Sequence, residues 1–87
     1  MSTIWKYPIK PDAFTVEMPV GAKVLSVAVQ NGDTQMWALV DPKAPLETRH
    51  FRTVGTGHSL PDDLGRFIGT VQLMGGVLVF HLFEKAT

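Results

Sequence analysis

The groups best able to bind a ligand concentrate in one short segment, Gly55-Thr-Gly-His-Ser59. Glycines let a backbone approach a ligand closely, and consecutive amides between them can form a nest for an anion. Thr56, His58 and Ser59 add hydroxyl and imidazole groups. A lone Gly-x-Gly without a following helix is not a dinucleotide or P-loop fingerprint. The segment therefore predicts either a small-anion site or a wide surface turn that uses glycine for positive φ.

Arginines and one tryptophan extend this candidate site. Arg49, Arg52 and Arg66 are close enough in sequence or along the predicted sheet to form a local cationic patch for one small anion. Trp37 lies on a strand face with small residues beside it, which leaves room for a ligand or an interface. We therefore expect eight residues to carry ligand binding: Trp37, Arg49, Arg52, Gly55, Thr56, Gly57, His58 and Ser59.

Catalytic and metal sites are not predicted. The histidines are His50, His58 and His81, and their spacing matches no metal motif; with no cysteine in the chain, thiolate zinc sites and disulfides are excluded. Ser59 beside His58 is weak support for a nucleophile, because catalytic triads are set by geometry and adjacent side chains rarely align. Asp62 and Asp63 fit ordinary turn chemistry, although with His58 they leave a small hydrolase as a third hypothesis. We expect a protein that is not an enzyme and needs no cofactor.

Composition restricts the partners. The 87 residues predict one domain, 1–87, and eight basic residues are balanced by eight acidic ones. Binding of long nucleic acids usually needs a basic excess, so none is expected. No apolar segment approaches the roughly 20 residues that span a bilayer, and the first residues lack the pattern of a signal peptide. We expect no membrane contact and a cytoplasmic location.

Glycine and proline interrupt the chain every eight to twelve residues, with short β-rich runs between them, which predicts an all-β fold. Six or seven strands in this order fit a small antiparallel barrel or a two-sheet sandwich. Pro8 indicates that the first run, Ile4–Ile9, is an edge strand or ends there. The segment from Gly55 to Gly65 is the longest irregular stretch.

Two hairpins give the sheet its register. Asn31-Gly32 fits a type I′ turn between 23–30 and 33–40. Its predicted core face carries Leu25, Val27, Val29, Met36, Ala38 and Val40. The reverse face, with Val24, Ser26, Ala28, Trp37 and Leu39, is too apolar for free solvent, so we expect another sheet or another subunit to cover it.

The second hairpin joins 66–73 to 77–84 across Gly75-Gly76. Its register places Val71 opposite Phe80 and Gly69 opposite Leu82. On the other face it places Thr70 opposite His81 and Ile68 opposite Phe83. A histidine at mid-strand opposite a threonine is expected to be buried and hydrogen-bonded.

Four motifs recur together in a known family: Ile-Trp-Lys-Tyr-Pro at 4–8, Trp-Ala-Leu-Val-Asp-Pro at 37–42, Gly-Thr-Gly-His at 55–58 and Leu-Val-Phe-His-Leu-Phe-Glu at 78–84. The chain resembles a family of small uncharacterised proteins encoded by bacteriophages and bacteria, many of them actinobacterial. The resemblance covers essentially the whole chain. It implies a stand-alone β-domain in a phage or prophage setting, and it implies no established biochemical role.

This setting favours a binding function, because small phage accessory proteins without catalytic residues often act by binding. We expect a homo-oligomer that sequesters a small anionic ligand, such as a nucleotide-derived signal of a host defence system. The alternative is a protein-interaction module that blocks a host factor or serves as a minor virion component.

Overall fold

A computed structural model describes residues 1–85 of the chain, and this part contains seven β-strands. The strands are β1 (Thr3–Pro8), β2 (Ala13–Pro19), β3 (Lys23–Gln30), β4 (Asp33–Val40), β5 (Leu46–Gly55), β6 (Arg66–Leu73) and β7 (Leu78–Glu84). A short 3-10 turn, Met74–Gly76, links the last two strands. Both the all-β class and the expected number of strands are confirmed.

The strands form two antiparallel sheets that pack face to face. The three-stranded sheet has the order β1-β4-β3, and the four-stranded sheet has the order β2-β5-β7-β6. The sheets do not join into a closed barrel, so of the two predicted architectures the sandwich is correct. The Cα atoms extend only 15 Å in the thinnest direction, as expected for two layers about 10 Å apart.

The first hairpin forms as its turn residues predict. Asn31 and Gly32 have φ values of 52° and 84°, which a type I′ turn requires, and they connect the pair Gln30–Asp33. The strand containing Pro8 is at the edge of its sheet. An edge position suits proline, which has no N–H to donate to a neighbouring strand.

A β-bulge corrects the predicted core face of β3. Val24 lies opposite Ala38, whereas Ser26 lies opposite Trp37, so Leu25 is the extra residue. The side chains before the bulge therefore change face: Val24 is 5% exposed and belongs to the core, and Leu25 is 46% exposed. Val29 is exposed as well, so the expectation that Leu25 and Val29 face the core is wrong.

The inner faces of the two sheets supply the core. Met36, Ala38 and Val40 come from β4, and all three are essentially inaccessible to solvent. From the four-stranded sheet, the rings of Phe14 and Phe51 stack at 5.5 Å between centroids. The strands alternate, so residues at the intervening positions face outward.

A second bulge lies in β6. The predicted pairs Val71–Phe80, Gly69–Leu82 and Thr70–His81 are present. Phe83 pairs with Phe67, not with Ile68 as expected, because Ile68 is the bulged residue. The Phe67 and Phe83 rings meet edge to face at 5.5 Å on the outer surface of the sheet.

The second sheet packs on the inner face of the three-stranded sheet, so it does not cover the outer face. Ile4 is 55% exposed and Leu39 is 40% exposed, while Trp37 is partly buried on the same side. The expectation that another sheet covers this face is therefore wrong. No helix within residues 1–85 has the length and apolar character needed to cross a membrane.

Candidate functional site

One depression is lined by four of the eight predicted site residues: Arg52, Gly55, His58 and Ser59. Thr56 and Gly57 line a neighbouring depression. Arg52 and the segment Gly55–Ser59 lie at the end of β5 and in the loop that follows it. Trp37 lies on the outer face of the other sheet, since its neighbours Met36 and Ala38 point into the core. Arg49 points between the sheets, on the same side of β5 as Phe51. The expected convergence of Trp37 and Arg49 with the loop is therefore absent.

Arg49 is occupied by a structural ion pair. Its Nε and Nη2 atoms donate to the two carboxylate oxygens of Glu84, with 3.1 Å for Nη2–Oε1. Its Nη1 atom donates to the carbonyl oxygen of Ala22 at 2.9 Å. Arg66 also approaches Glu84, at 3.6 Å. The patch expected from three arginines does not form, because two of them share one carboxylate.

Burial and ion pairing shift the pKa values of two residues in this interior cluster. The hydrogen bonds to Glu84 raise the pKa of Arg49, although burial acts against them. Burial also raises the pKa of Tyr7, and the nearby Arg49 charge offsets part of this increase. The Tyr7 hydroxyl oxygen is buried without a hydrogen-bond partner among residues 1–85. These groups belong to the packing between the sheets, not to an open site.

The Gly55–His58 segment forms a tight turn. The amide of His58 donates to the carbonyl oxygen of Gly55 at 3.1 Å, and Gly57 supplies the positive φ of 86° that this turn needs. The amide of Thr56 donates to the carbonyl oxygen of Val79 at 3.1 Å. Two amides of the expected anion nest are therefore already bonded within the protein, which breaks the run of consecutive free amides that such a nest needs.

The Thr56 side chain anchors this turn to the sheet. Its hydroxyl lies 2.7 Å from Nε2 of His81, and the Thr70 hydroxyl lies 2.9 Å from Nδ1 of the same ring. Both ring nitrogens of His81 thus have partners, as the register predicts for Thr70, but the residue is half-buried and not buried as expected. The contribution of Thr56 was not predicted, because it depends on how the loop folds back over β7.

The remaining polar groups line a depression of about 150 Å³, which we call the polar basin. Its polar side chains are those of Asp12, Arg52, Thr53, His58 and Ser59. The imidazole of His58 folds back over Gly55, where an added Cβ would lie 2.9 Å from its Cε1 atom. Glycine at position 55 therefore leaves the space that the His58 ring occupies.

Arg52 differs from the other two arginines discussed here. It forms no ion pair with an acidic residue among residues 1–85, although Asp63 lies within electrostatic range. The Asp63 carboxylate instead pairs with Lys85 at 2.8 Å. The hydrogen bond and charge of Lys85 lower the pKa of Asp63. Arg52 is the one arginine or lysine among the residues that line the basin, and it also lines an adjoining depression with Asp63 and Lys85.

Sequence reasoning missed the contribution of the β1–β2 connection. Pro11 and Asp12 form one wall of the polar basin, and the Asp12 carbonyl oxygen accepts a hydrogen bond from the Thr53 amide at 3.0 Å. Asp12 has a positive φ of 58°, which its short polar side chain tolerates. Nothing in its local sequence indicates that it faces a segment more than 40 residues away.

Residues 1–87 match the family model described as a domain of unknown function, DUF7352. The chain belongs to this family. No curated protein and no solved structure matches it. The match over the whole chain agrees with the expectation of an uncharacterised family, and it assigns no role to any residue of the basin.

The groups that line the polar basin define what this part of the DUF7352 domain can hold. Within the described part of the chain, no group of three histidine or acidic residues is placed to hold a metal ion. Asp63 is paired with Lys85 and does not line the polar basin with His58. The basin combines one arginine, one imidazole, two hydroxyls and the carboxylate of Asp12. Arg52, His58 and Ser59 can hold an anionic group by charge and hydrogen bonds, and the charge of Asp12 opposes it.

Proposed function

We propose that this DUF7352 domain is a non-enzymatic binding protein that captures a small anionic ligand at the polar basin. The observation that carries the proposal is the state of Arg52. Arg52 lines the basin with His58 and Ser59, and it lacks the ion pair that Arg49 and Arg66 form with Glu84. An arginine without an internal counter-ion gives an anion a charged, bidentate donor.

The size of the basin limits the ligand group. Pockets for whole small molecules typically have volumes of about 300–1,000 Å³, and the basin has about 150 Å³. It is large enough for a carboxylate, sulfate or phosphate group. A nucleotide-derived host-defence signal, suggested by the phage or prophage setting that the sequence resemblance implies, would place only its phosphate here.

The test is a thermal-shift and calorimetry screen with phosphate, sulfate, acetate, AMP and ADP-ribose. At a ligand concentration 100 times Kd, binding to the native state contributes about 2.7 kcal/mol, or a Tm increase on the order of 10–20 °C in a domain of this size. The effect should weaken as ionic strength rises, because the site is open to solvent.

Two variants make this test specific. Arg52→Gln should abolish the increase in Tm. Arg66→Gln should preserve it, because Arg66 does not line the basin and its ion-pair partner is Glu84, at 3.6 Å. If no anion stabilises the protein, or if Arg52→Gln responds like the parent, anion capture by this basin is wrong.

The second candidate function is a protein-interaction module, favoured by the exposed apolar face of the three-stranded sheet. Ile4 and Leu39 face each other across β1 and β4, and Trp37 follows on the same side. We propose two alternative partners for this face: a second copy of the chain, as in a homo-oligomer, or a host protein. Light scattering over a concentration series detects the former. Capture from host lysate that Trp37→Ser abolishes detects the latter.

A further inference from the structure

A second depression lies between the two sheets, at the end of the sandwich near the β1–β2 connection. We call it the apolar cleft; it has a volume of about 200 Å³. Ile9 contributes from the three-stranded layer, where its amide continues the ladder by donating to Thr34 at 3.0 Å. Val71, Leu73 and Phe80 contribute from the four-stranded layer. The cleft therefore opens into the seam between the layers.

The cleft and the polar basin share a wall. Pro11, Thr53 and Phe80 line both depressions. Their volumes of about 200 and 150 Å³ each fall below the usual range for small-molecule pockets, but together they reach its lower end of about 300 Å³. One ligand that crosses the shared wall would therefore occupy a site of ordinary size.

The cleft offers little to a polar group. Its polar lining residues are Lys10, Thr34 and Thr53. Thr53 is already bonded internally, its amide to Asp12 and its hydroxyl to the carbonyl oxygen of Lys10. A nucleobase in the cleft would lose hydrogen bonds to water without full replacement, whereas a hydrocarbon group would lose none. The cleft thus favours an aliphatic or aromatic group over a base.

The charges at the basin favour a single negative charge on the ligand. Arg52 supplies one positive charge, and Asp12, which lines the same basin, supplies one negative charge that opposes a dianion. The paired Asp63 lies outside the basin, and Lys10 adds a cation among the residues of the cleft. A monoanion is therefore better matched than a phosphate monoester carrying two charges.

We infer that the ligand of this domain is an amphipathic monoanion. Its anionic group is held at Arg52, and its short aliphatic or aromatic body lies in the apolar cleft against Leu73 and Phe80. The inference rests on the proposed function in that Arg52 anchors the anion, and it adds the class of molecule to which the anion belongs.

The experiment is a titration, followed by amide and methyl NMR, with acetate, butanoate, hexanoate and hexan-1-ol. Each methylene that enters the cleft should increase affinity by up to about fourfold. Hexanoate should therefore bind at least about tenfold more tightly than acetate. Its addition should shift the methyl signals of Val71 and Leu73 as well as the signals of the basin, and acetate should shift only the latter.

Substitutions separate the two parts of the site. Leu73→Ser should weaken hexanoate and leave acetate unchanged. Leu78→Ser is the matched control, because Leu78 is the cross-strand partner of Leu73 and does not line the cleft. Asp12→Asn should strengthen both carboxylates, and Arg52→Gln should weaken both.

The outcomes distinguish the inference from the function on which it rests. Acetate and hexanoate binding equally, both through Arg52, would overturn the amphipathic ligand and leave anion capture intact. Hexanoate and hexan-1-ol binding equally, with no effect of Arg52→Gln, would overturn anion capture and the inference with it. The methyl shifts are measured on the unsubstituted protein, so the result does not depend on the folding of any variant.

Discussion

The outer faces of the two sheets differ in whether a segment of the chain covers them. On the three-stranded sheet, Ile4, Trp37 and Leu39 form an apolar strip that residues 1–85 leave open to solvent. On the four-stranded sheet, the segment 56–65 crosses the outer face, and Leu60 lines a depression of about 250 Å³ with the outward-facing Phe83. The outer face of each sheet is thus partly apolar, and only the outer face of the four-stranded sheet is covered by a loop of the chain.

This difference shows why the candidate site lies where it does. The segment that covers the four-stranded sheet is the same segment that carries His58 and Ser59 to the polar basin. Three contacts fix it: the close packing of Gly65 on the backbone of Glu84, the Thr56–His81 hydrogen bond and the Asp63–Lys85 ion pair. Substitutions that remove these contacts one at a time measure how much each contact stabilises the segment 56–65 on the sheet.

The largest effect is expected from Gly65→Ala. Gly65 has a φ of 89°, and an added Cβ would overlap the carbonyl oxygen of Glu84. Left-handed strain and a backbone clash together should cost about 2–5 kcal/mol. The measurement is the urea midpoint followed by tryptophan fluorescence, with the m value checked for a change in the two-state behaviour.

Gly57→Ala is the matched control for this substitution. Its φ of 86° is nearly the same, but no atom lies within 4 Å of the added Cβ. It should cost only the strain, about 1–2 kcal/mol. Equal losses at positions 57 and 65 would show that the contact with Glu84 does not hold the loop.

A smaller effect is expected from Thr56→Val, which removes the hydroxyl that bonds to His81. The loss should be about 0.5–1.5 kcal/mol, since water can reach the exposed end of this hydrogen bond. Hydrogen exchange should accelerate in the segment 56–65. Thr48→Val, which removes a 2.6 Å bond to Glu17 on the same sheet, should leave that exchange unchanged. Unaltered exchange in Thr56→Val would contradict the role of this anchor.

The fold was predictable where local chemistry determines geometry. Asn31-Gly32 sets the register of its hairpin through the turn, and the pairing of Thr70 with His81 followed from the second hairpin. The bulges at Leu25 and Ile68 were not predictable, because neither residue type marks a bulge. The second bulge accompanies a close approach between the sheets: a Cβ at Gly69 would lie 2.6 Å from Val27.

The candidate site was predictable only where it is local. Residues 55–59 are gathered by chain continuity. Arg49 and Arg52 were grouped by sequence distance, yet strand alternation places them on opposite faces of β5. The presence of Phe51 two residues after Arg49 was the signal that could have separated them, because both point into the sandwich. The wall formed by Asp12 depends on tertiary packing alone.

On the uncovered face, Leu39→Ser should lower the free energy of unfolding by only about 1 kcal/mol, because two fifths of the residue already contacts water. Ile4→Ser, its cross-strand neighbour, should behave alike. The measurement is urea unfolding at several protein concentrations. A loss that grows with protein concentration would mean that a second copy covers this face in solution, since oligomerisation stabilises by mass action.

The smallest effect is expected from the Asp63–Lys85 pair, which is exposed at both ends. Because Lys85 lowers the pKa of Asp63 in the folded state, the folded protein binds this proton less readily than the unfolded chain. The contribution of the pair is therefore complete above the unfolded-state pKa of about 3.9 and is lost as the pH falls through the lower folded value. Asp63→Asn should therefore lower stability slightly near pH 7, where the contribution of the pair is complete, and its stability should converge with that of the parent at low pH, which makes the acid limb of the stability curve flatter. High salt should remove the difference between parent and variant, whereas a difference that persists in high salt would mean that Asp63 holds the loop by something other than this ion pair.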